Sequence, residues 1–266
     1  MTRRFNGHRF QGCCLAAAMT VSVLAAACGG GQQQNASAPA TTTAPAPAPA
    51  AVDPTAGTVT GTITFAGTAP APEPIKMTSD PSCAQPGAPP ATNEALLVGS
   101  GGGLQNVFVY VKDGFSNRTF AAPSTPVVLD QKGCHYLPHV LGIQVGQPLE
   151  IRNDDSTLHN VHALGKSNAE FNQGQPLKGM KNIHTFTTKE VMVPFKCDVH
   201  GWMNAFIGVL DHPFFAVTAA DGSFSLKGLP PGTYTIEAWH EKLGTQTQMV
   251  TIGEKETKDV AMTFKL

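Results

Sequence analysis

The chain has 266 residues, with 18 basic and 19 acidic side chains, nine histidines and six cysteines. A formal net charge of −1 and the lack of any Lys/Arg block exclude the phosphate-neutralising surface of a nucleic-acid-binding protein, so no nucleic-acid partner is expected. The 27 glycines and 21 prolines among few charged residues indicate short strands and many turns rather than long helices.

Residues 1–28 are predicted to be a signal peptide. Three arginines precede an uncharged run from Cys14 to Ala27, which is shorter than the roughly 20 residues that span a bilayer. The run ends in Ala25-Ala26-Ala27-Cys28-Gly29 and resembles the lipobox of bacterial lipoproteins. The resemblance implies lipidation of Cys28, attachment to the membrane through that anchor, and a periplasmic position, on the outer membrane of a Gram-negative-type bacterium. The alternative is ordinary cleavage at an Ala-x-Ala site, which leaves Cys28 as a free thiol.

Residues 29–56 are predicted to be a disordered linker. They consist mainly of Gly, Gln, Ala, Thr and Pro, with Asp53 as the single charge. Such a composition buries too little apolar surface to offset its ordering entropy, so it behaves as an extended spacer. Removal of residues 1–28 leaves 15 basic and 19 acidic side chains, a formal charge of −4.

From Gly57 to Leu266 the sequence predicts an all-β fold. Short alternating or apolar segments are separated by turn clusters such as Asp221-Gly222, a pattern typical of a sandwich or barrel. In the segment 107–111, three valines alternate with Phe108 and Tyr110, which predicts a strand covered on both faces. The predicted strands are Thr58–Phe65, Val107–Val111, Ile143–Ile151, Val191–Cys197, Phe206–Leu210, Phe224–Leu226, Tyr234–Ala238, Val250–Ile252 and Val260–Phe264.

The densest chemistry lies at the end of the apolar segment 191–197. A thiol, an imidazole and a thioether fall within seven residues, at Cys197, His200 and Met203, and two further imidazoles lie upstream at His159 and His162. In an oxidising compartment one thiolate, two imidazoles and a weak axial thioether select copper. Zinc would more often take a second cysteine or a carboxylate, and rarely a methionine.

These two motifs resemble those of a cupredoxin, the plastocyanin-like blue-copper fold, in which the first histidine lies in a His-Asn-Val segment. The resemblance implies a Greek-key β-sandwich or barrel that binds one type 1-like copper ion through His159, Cys197, His200 and Met203. Only two residues separate His200 from Met203, a spacing similar to the binuclear copper site of oxidase subunit II. That site needs a second cysteine where this chain has Val193, so a mononuclear site is expected. Met203 as a packing residue remains the alternative.

The cysteines of the folded part are odd in number. Cys83 and Cys134 lie in loops rich in Pro and Gly that suit a disulfide, which leaves Cys197 for the metal. Pairing of Cys197 in a structural disulfide is the alternative. His162 and Trp202 are predicted to lie beside the ligands, where Trp202 would shield the metal from water, and His162 is also the alternative to His159 as a ligand. His135 and His139 are predicted to be surface or core residues, or to line a neighbouring site.

Residues 216–266 contain an Asp-Gly-x-Phe segment followed by Gly-Leu-Pro-Pro-Gly-x-Tyr. This pattern resembles a carboxypeptidase regulatory-like (transthyretin-like) domain, a β-sandwich used for stability or contacts. Since 51 residues are too few for a stable sandwich alone, we expect the rest of it upstream, where the segments 57–63 and 107–111 resemble its first strands. The hypothesis is that a cupredoxin-like domain, 125–215, is inserted into a second sandwich built from 57–124 and 216–266.

The expected function is electron transfer by a lipid-anchored, periplasm-facing mononuclear copper protein, with a periplasmic redox partner such as a cytochrome. One alternative is copper or zinc storage or delivery without redox cycling. Another is a lipoprotein that binds carbohydrate or protein in adhesion, without a metal. The sequence contains no nucleophile triad and no phosphate-binding loop, so an enzyme is not expected, with copper oxidoreductase chemistry as the open alternative.

Overall fold

The computed structural model describes residues 53–77, 80–83, 91–116 and 118–266. These ranges contain sixteen β-strands and a single 3-10 helix, Ser100–Gly102, so the predicted all-β sandwich architecture is confirmed. The strands are β1 Gly57–Phe65, β2 Phe108–Asp113, β3 Val127–Gln131, β4 Tyr136–Leu137, β5 Val140–Gln144, β6 Pro148–Asn153, β7 His159–Ala163, β8 Phe171–Gln175, β9 Lys181–Thr185, β10 Glu190–Lys196, β11 Asn204–Leu210, β12 Phe215–Val217, β13 Ser223–Leu229, β14 Gly232–His240, β15 Gly244–Ile252 and β16 Thr257–Phe264.

The predicted signal peptide, the lipidation site Cys28 and most of the predicted linker lie outside the described residues. Within the last four residues of that linker, Thr55 O accepts a hydrogen bond of 3.0 Å from the backbone N–H of Lys255. The folded part therefore starts slightly earlier than predicted. No helix among the described residues is long and apolar enough to cross a membrane.

One sandwich combines strands from both ends of the folded part. Its three-stranded sheet has the order β13-β1-β16, and its four-stranded sheet has the order β12-β2-β14-β15. The early strands β1 and β2 are therefore paired with late strands on both sides. This is the pairing that the insertion hypothesis requires, while the boundaries at 124 and 216 themselves remain a prediction. We call this body the outer sandwich.

The strands β3 to β11 form the second body, the inner sandwich. Its five-stranded sheet has the order β5-β11-β10-β7-β8, and its four-stranded sheet has the order β4-β3-β6-β9. Buried side chains from both sheets fill its core, including Leu129, Ile143, Ile151, Phe195 and Ile207. The central strands β7, β10 and β11 of the larger sheet carry the segments in which metal ligands are predicted.

Strand β2 is buried on both faces, as the sequence predicts. Val109 and Val111 point into the core of the outer sandwich. Phe108 and Tyr110 point the other way, into a separate apolar cluster that includes Val140 and Leu210 of the inner sandwich. The two sandwiches therefore pack against each other through β2.

Two paired glycines make room for that contact. Gly142 of β5 and Gly208 of β11 are partners in the parallel register. A Cβ on Gly208 would lie 2.3 Å from the Phe108 ring, and one on Gly142 would lie 2.3 Å from the Phe215 ring. Any side chain at either position would therefore push the aromatic rings of the outer sandwich away.

The strand prediction is wrong in detail at several places. The segment 143–151 is two strands, β5 and β6, because the chain turns through Gly146 with a φ of +85°. Strands β3, β4, β7, β8, β9 and β12 were not predicted. β8 and β9 have mostly polar sequences and half-exposed faces, so they lack the apolar alternation that marks a strand.

Candidate metal centre

Adjacent strand ends bring the predicted ligands together. His159 is the first residue of β7, Cys197 follows the last residue of β10, and Met203 precedes β11. Near its last residue, strand β10 pairs with the start of β11 and with the last two residues of β7. The loop 197–203 is closed by two backbone hydrogen bonds, from Cys197 N–H to Met203 O (3.1 Å) and from Met203 N–H to His200 O (2.9 Å).

His159, Cys197 and His200 form a compact buried cluster. Their ligand atoms all lie within 4.8 Å of one another. The two Nδ1 atoms of the histidines are 3.0 Å apart, and Cys197 Sγ lies 3.8 Å from His200 Nδ1. None of the three residues is more than 1% exposed. The structure therefore joins three of the four predicted ligand residues through side-chain atoms.

The outer nitrogen of each imidazole contacts a carboxylate. Asp155 Oδ2 lies 2.9 Å from His159 Nε2, and Asp80 Oδ2 lies 2.9 Å from His200 Nε2. An ionised carboxylate only accepts hydrogen bonds, so each Nε2 carries the proton in the neutral ring. The two Nδ1 atoms then face each other at 3.0 Å, a contact that needs either a proton or a metal cation between them. The carboxylate–histidine arrangement is one that metal sites commonly use to orient their ligands, and the cluster fits a metal ion.

The same contacts shift the pKa values of the cluster. Burial alone would lower the pKa of His159, but hydrogen bonds with Asp155 and Cys197 outweigh it and raise that pKa to about 9. Burial alone would raise the pKa of the Cys197 thiol, but the hydrogen bond with His159 and nearby backbone N–H groups lower it to about 7. The thiolate that a metal needs is therefore accessible near neutral pH.

Asn160 holds the loop that carries Cys197. Its Oδ1 accepts hydrogen bonds from the backbone N–H groups of Asp198 (2.7 Å) and Val199 (3.3 Å), and from Cys197 Sγ (3.3 Å). Sequence reasoning gave no role to Asn160, Asp155 or Asp80. Asn160 and Asp155 lie in the same sequence segment as His159, and this proximity could have indicated that they support the site. No feature of the sequence links Asp80 to the site.

Met203 and Trp202 border the cluster. Met203 is 1% exposed and packs in the inner core, while its service as an axial ligand remains a prediction. The Trp202 ring centroid lies 5.1 Å from that of His200, and its Nε1–H donates to Cys134 O at 3.1 Å. This half-buried ring lies against His200, and its predicted shielding of a metal remains a prediction.

His162 lies apart from the cluster. Its Nδ1 is 2.9 Å from Asp198 Oδ2 and its Nε2 is 2.6 Å from Glu170 Oε1, so carboxylates occupy both nitrogens. It reaches the site only through Asp198, the neighbour of Cys197. The structure thus brings His159, and not His162, to the other ligand residues.

Cys83 and Cys134 are joined in a disulfide, and Cys197 is the free cysteine of the described residues. Among the other histidines, His139 Nδ1 donates to Asn204 O (3.2 Å) and His139 Nε2 lies 2.5 Å from Glu241 Oε1. His139 therefore links the two sandwiches, while His135 lines a pocket beside Trp202.

Residues 204–266 match the carboxypeptidase regulatory-like domain family. The match starts in β11, which pairs within the inner sandwich, and continues through β12–β16. None of the curated proteins matches this chain.

Several solved copper proteins resemble parts of the fold. A Cu-containing nitrite reductase (NirK) from Thermus scotoductus SA-01 is 22% identical, with a TM-score of 0.30, over 35% of this chain and 25% of that one. An oxidized mutant of amicyanin is 23% identical, with a TM-score of 0.29, over 38% of this chain and 97% of its own. A purple cupredoxin from Nitrosopumilus maritimus is 24% identical, with a TM-score of 0.27, over 32% of this chain and 97% of its own. The chain therefore covers only about a quarter of the length of the nitrite reductase. Its segment 204–266 is similar to a carboxypeptidase regulatory-like domain.

Proposed function

We propose that this protein is a mononuclear copper-binding protein that transfers electrons in the cell envelope. One observation carries the proposal. The Nδ1 atoms of His159 and His200 face each other at 3.0 Å, with Cys197 Sγ beside them, while carboxylates engage both Nε2 atoms. Two oriented imidazoles and one thiolate are the donors that trigonal copper sites use.

Each residue has a defined part in this proposal. Cys197 supplies the thiolate, His159 and His200 supply the imidazoles, and Met203 is a weak axial contact. A copper ion bound there would supply a one-electron couple between its cupric and cuprous states. Asp155 and Asp80 hold the two rings in one tautomer and orientation, and Asn160 holds the loop of Cys197.

Burial of the donor residues favours electron transfer over catalysis. His159, Cys197 and His200 are at most 1% exposed, so a substrate would have to displace packed side chains to reach the metal. An electron needs no such opening, and a rigid, water-poor ligand set changes little between two oxidation states. A storage protein could use further imidazoles, but both ring nitrogens of His162 and of His139 already have hydrogen-bond partners.

The setting of this activity belongs to the proposal as well. The lipobox-like sequence around Cys28 and the predicted linker that follows it support a lipid-anchored protein on the periplasmic side of the outer membrane. A tethered protein of this kind would exchange electrons with a periplasmic redox partner such as a cytochrome.

The test is to add Cu(II) to the full-length chain with its disulfide intact. We expect an intense visible absorption band from the thiolate–copper bond, one copper per chain, and a reversible one-electron wave in voltammetry. Cys197→Ser should abolish the band, whereas the matched Cys28→Ser variant should keep it. Copper bound without the visible band would contradict the proposed ligand set. A band without a reversible wave would favour storage or delivery.

A further inference from the structure

The Cys83–Cys134 disulfide lies against the outer edge of the His200 ring. Cys83 Sγ is 3.6 Å from His200 Nε2, the nitrogen that points away from Cys197. The two sulfur atoms and a ring nitrogen of His200 all lie within 4.8 Å of one another. Both cysteines are buried, with Cys83 at 5% and Cys134 at 1% exposure.

Asp80 completes this group. Its Oδ2 lies 2.9 Å from the same His200 Nε2. Asp80 and Cys83 belong to one tight turn, in which the Cys83 N–H donates to Asp80 O at 3.0 Å. The two sulfurs and a carboxylate oxygen therefore lie near the outer edge of the His200 ring, on the side opposite to Cys197.

We propose that, when the disulfide is open, Cys83, Cys134, His200 Nε2 and Asp80 bind a zinc-type divalent cation, back to back with the Cys197 centre across the His200 ring. Two cysteines, a histidine and a carboxylate are ligands that tetrahedral zinc accepts. Zinc–sulfur and zinc–nitrogen bonds of about 2.3 and 2.0 Å place these ligand atoms roughly 3.5 Å apart. Cys83 Sγ and His200 Nε2 are already 3.6 Å apart.

The open form arises by thiol–disulfide exchange. A thiolate of a dithiol reductant attacks one sulfur of the disulfide, forms a mixed disulfide with that cysteine and releases the other cysteine as a thiolate. The second thiolate of the reductant then attacks the mixed disulfide and releases the first cysteine. The reductant leaves as a disulfide, and Cys83 and Cys134 become thiols. The cation then takes the place of the two thiol protons, which pass to solvent, and it binds His200 Nε2 while the ring keeps its one proton at Nδ1. A newly made chain, before the disulfide forms, is in the same dithiol state.

The oxidation state of this cysteine pair therefore decides which ring nitrogen of His200 is available to bind a metal. With the disulfide closed, the two extra sulfurs are withdrawn, and His200 Nδ1 is left for the centre that contains Cys197. With the disulfide open, the outer edge competes for the same ring. This second site does not depend on copper binding at Cys197.

The experiment uses Co(II) as the probe, because its tetrahedral thiolate complexes are coloured and it does not require a redox change. The starting protein is the full-length chain with Cys13, Cys14, Cys28 and Cys197 replaced by Ser, so that Cys83 and Cys134 are its remaining cysteines. One sample is kept oxidised. The other is reduced with a dithiol, which is then removed under nitrogen before Co(II) is added.

We expect thiolate-to-cobalt absorption and tetrahedral cobalt bands in the reduced sample, and neither in the oxidised one. Zn(II) should displace one equivalent of cobalt. Adding Cys83→Ser or Asp80→Asn to this chain should weaken Co(II) binding in the reduced form at least tenfold. The inference is overturned if the reduced protein shows no thiolate band, or if it loses its native circular dichroism and zinc does not restore it. Because Cys197 is absent, neither result bears on the proposed copper centre.

Discussion

Asp80 and His200 come from different sandwich-forming segments of the chain and meet at 2.9 Å, Oδ2 to Nε2. They are 120 residues apart in sequence. Hydrogen bonds from Ser82 and His200 hold the pKa of the Asp80 carboxyl far below its usual range, so it is ionised under ordinary conditions. A negative charge from the 57–124 segment therefore lies against a ligand of the proposed copper centre.

Asp80→Asn should weaken that centre without unfolding it. Loss of a carboxylate partner of a ligating histidine typically lowers metal affinity about 10–100-fold. Because a nearby negative charge favours the cupric over the cuprous state, the variant should also have a higher reduction potential. Chelator competition and voltammetry measure the two effects. The matched Asp259→Asn variant changes an outer-sandwich carboxylate that contacts Thr60 and should change neither. Equal potentials in Asp80→Asn and wild type would contradict a role for this charge.

Gly208→Ala should destabilise the contact between the two sandwiches. The new Cβ would lie 2.3 to 2.9 Å from three atoms of the Phe108 ring, and such overpacking typically costs about 1–3 kcal/mol in the free energy of unfolding. Urea unfolding of the metal-free protein measures the loss. Gly174→Ala in β8 is the matched control, because a Cβ there meets nothing within 4 Å. We expect that control to lie within about 0.5 kcal/mol of wild type, and similar losses in the two variants would contradict the steric argument.

His212 should make the protein less stable as the pH falls. Its Nε2–H donates to Val111 O at 2.8 Å, and its Nδ1 accepts from the Phe214 N–H at 3.2 Å, which suits only the neutral ring. Burial lowers the pKa of His212 to about 4, from 6.5 in the absence of the fold. Between pH 6.5 and about pH 4 the unfolded chain binds a proton at His212 that the native protein does not bind. The contribution of neutral His212 to the free energy of unfolding is therefore complete above pH 6.5 and is lost as the pH falls toward about 4. The loss is at most roughly 3 kcal/mol.

Urea unfolding of the metal-free protein at about pH 7.5 and about pH 5 tests this sign. His212→Gln should reduce the difference between the two stabilities, because the non-titrating residue takes up no proton in either state. His162→Gln is the control of opposite sign, since a hydrogen bond with Glu170 raises the pKa of His162. In His162→Gln, the loss of stability between about pH 7.5 and about pH 5 should be as large as in wild type or larger. A loss that is the same in His212→Gln and wild type would assign the pH dependence to other groups.

The strands that the sequence predicted are those with continuous apolar faces. β1 buries alternate residues over its full length, and β14 does so from Tyr234 onward. The alternation of their apolar residues indicates this burial in the sequence. β8 and β9 are set by pairing with β7 and β6 rather than by their own apolar residues. Their polar side chains carry no signal that a strand is present, so tertiary pairing decided their structure.

The residues of the site also differ in whether a local sequence pattern or the tertiary fold places them. His159, Cys197 and His200 lie in short local motifs whose residue types already indicate soft-metal chemistry. Asp155 and Asn160 are local too, but their hydrogen bonds depend on how the loops turn. Asp80 reaches His200 only because the chain folds back from another segment. No periodicity or spacing encodes that approach.

The pairing of β2 with β12 has a consequence for the order of folding. The chain leaves the outer sandwich after β2 and returns at β12, and these strands lie side by side, with Tyr110 opposite Phe215. A folded inner sandwich therefore presents two chain ends that are already adjacent, which shortens the effective loop that β1 must close to reach β16, 199 residues away at Thr60 and Asp259. We expect the inner sandwich to form first and to nucleate the outer one. A defect within it would leave the edges of β1 and β2 unpaired and prone to aggregate.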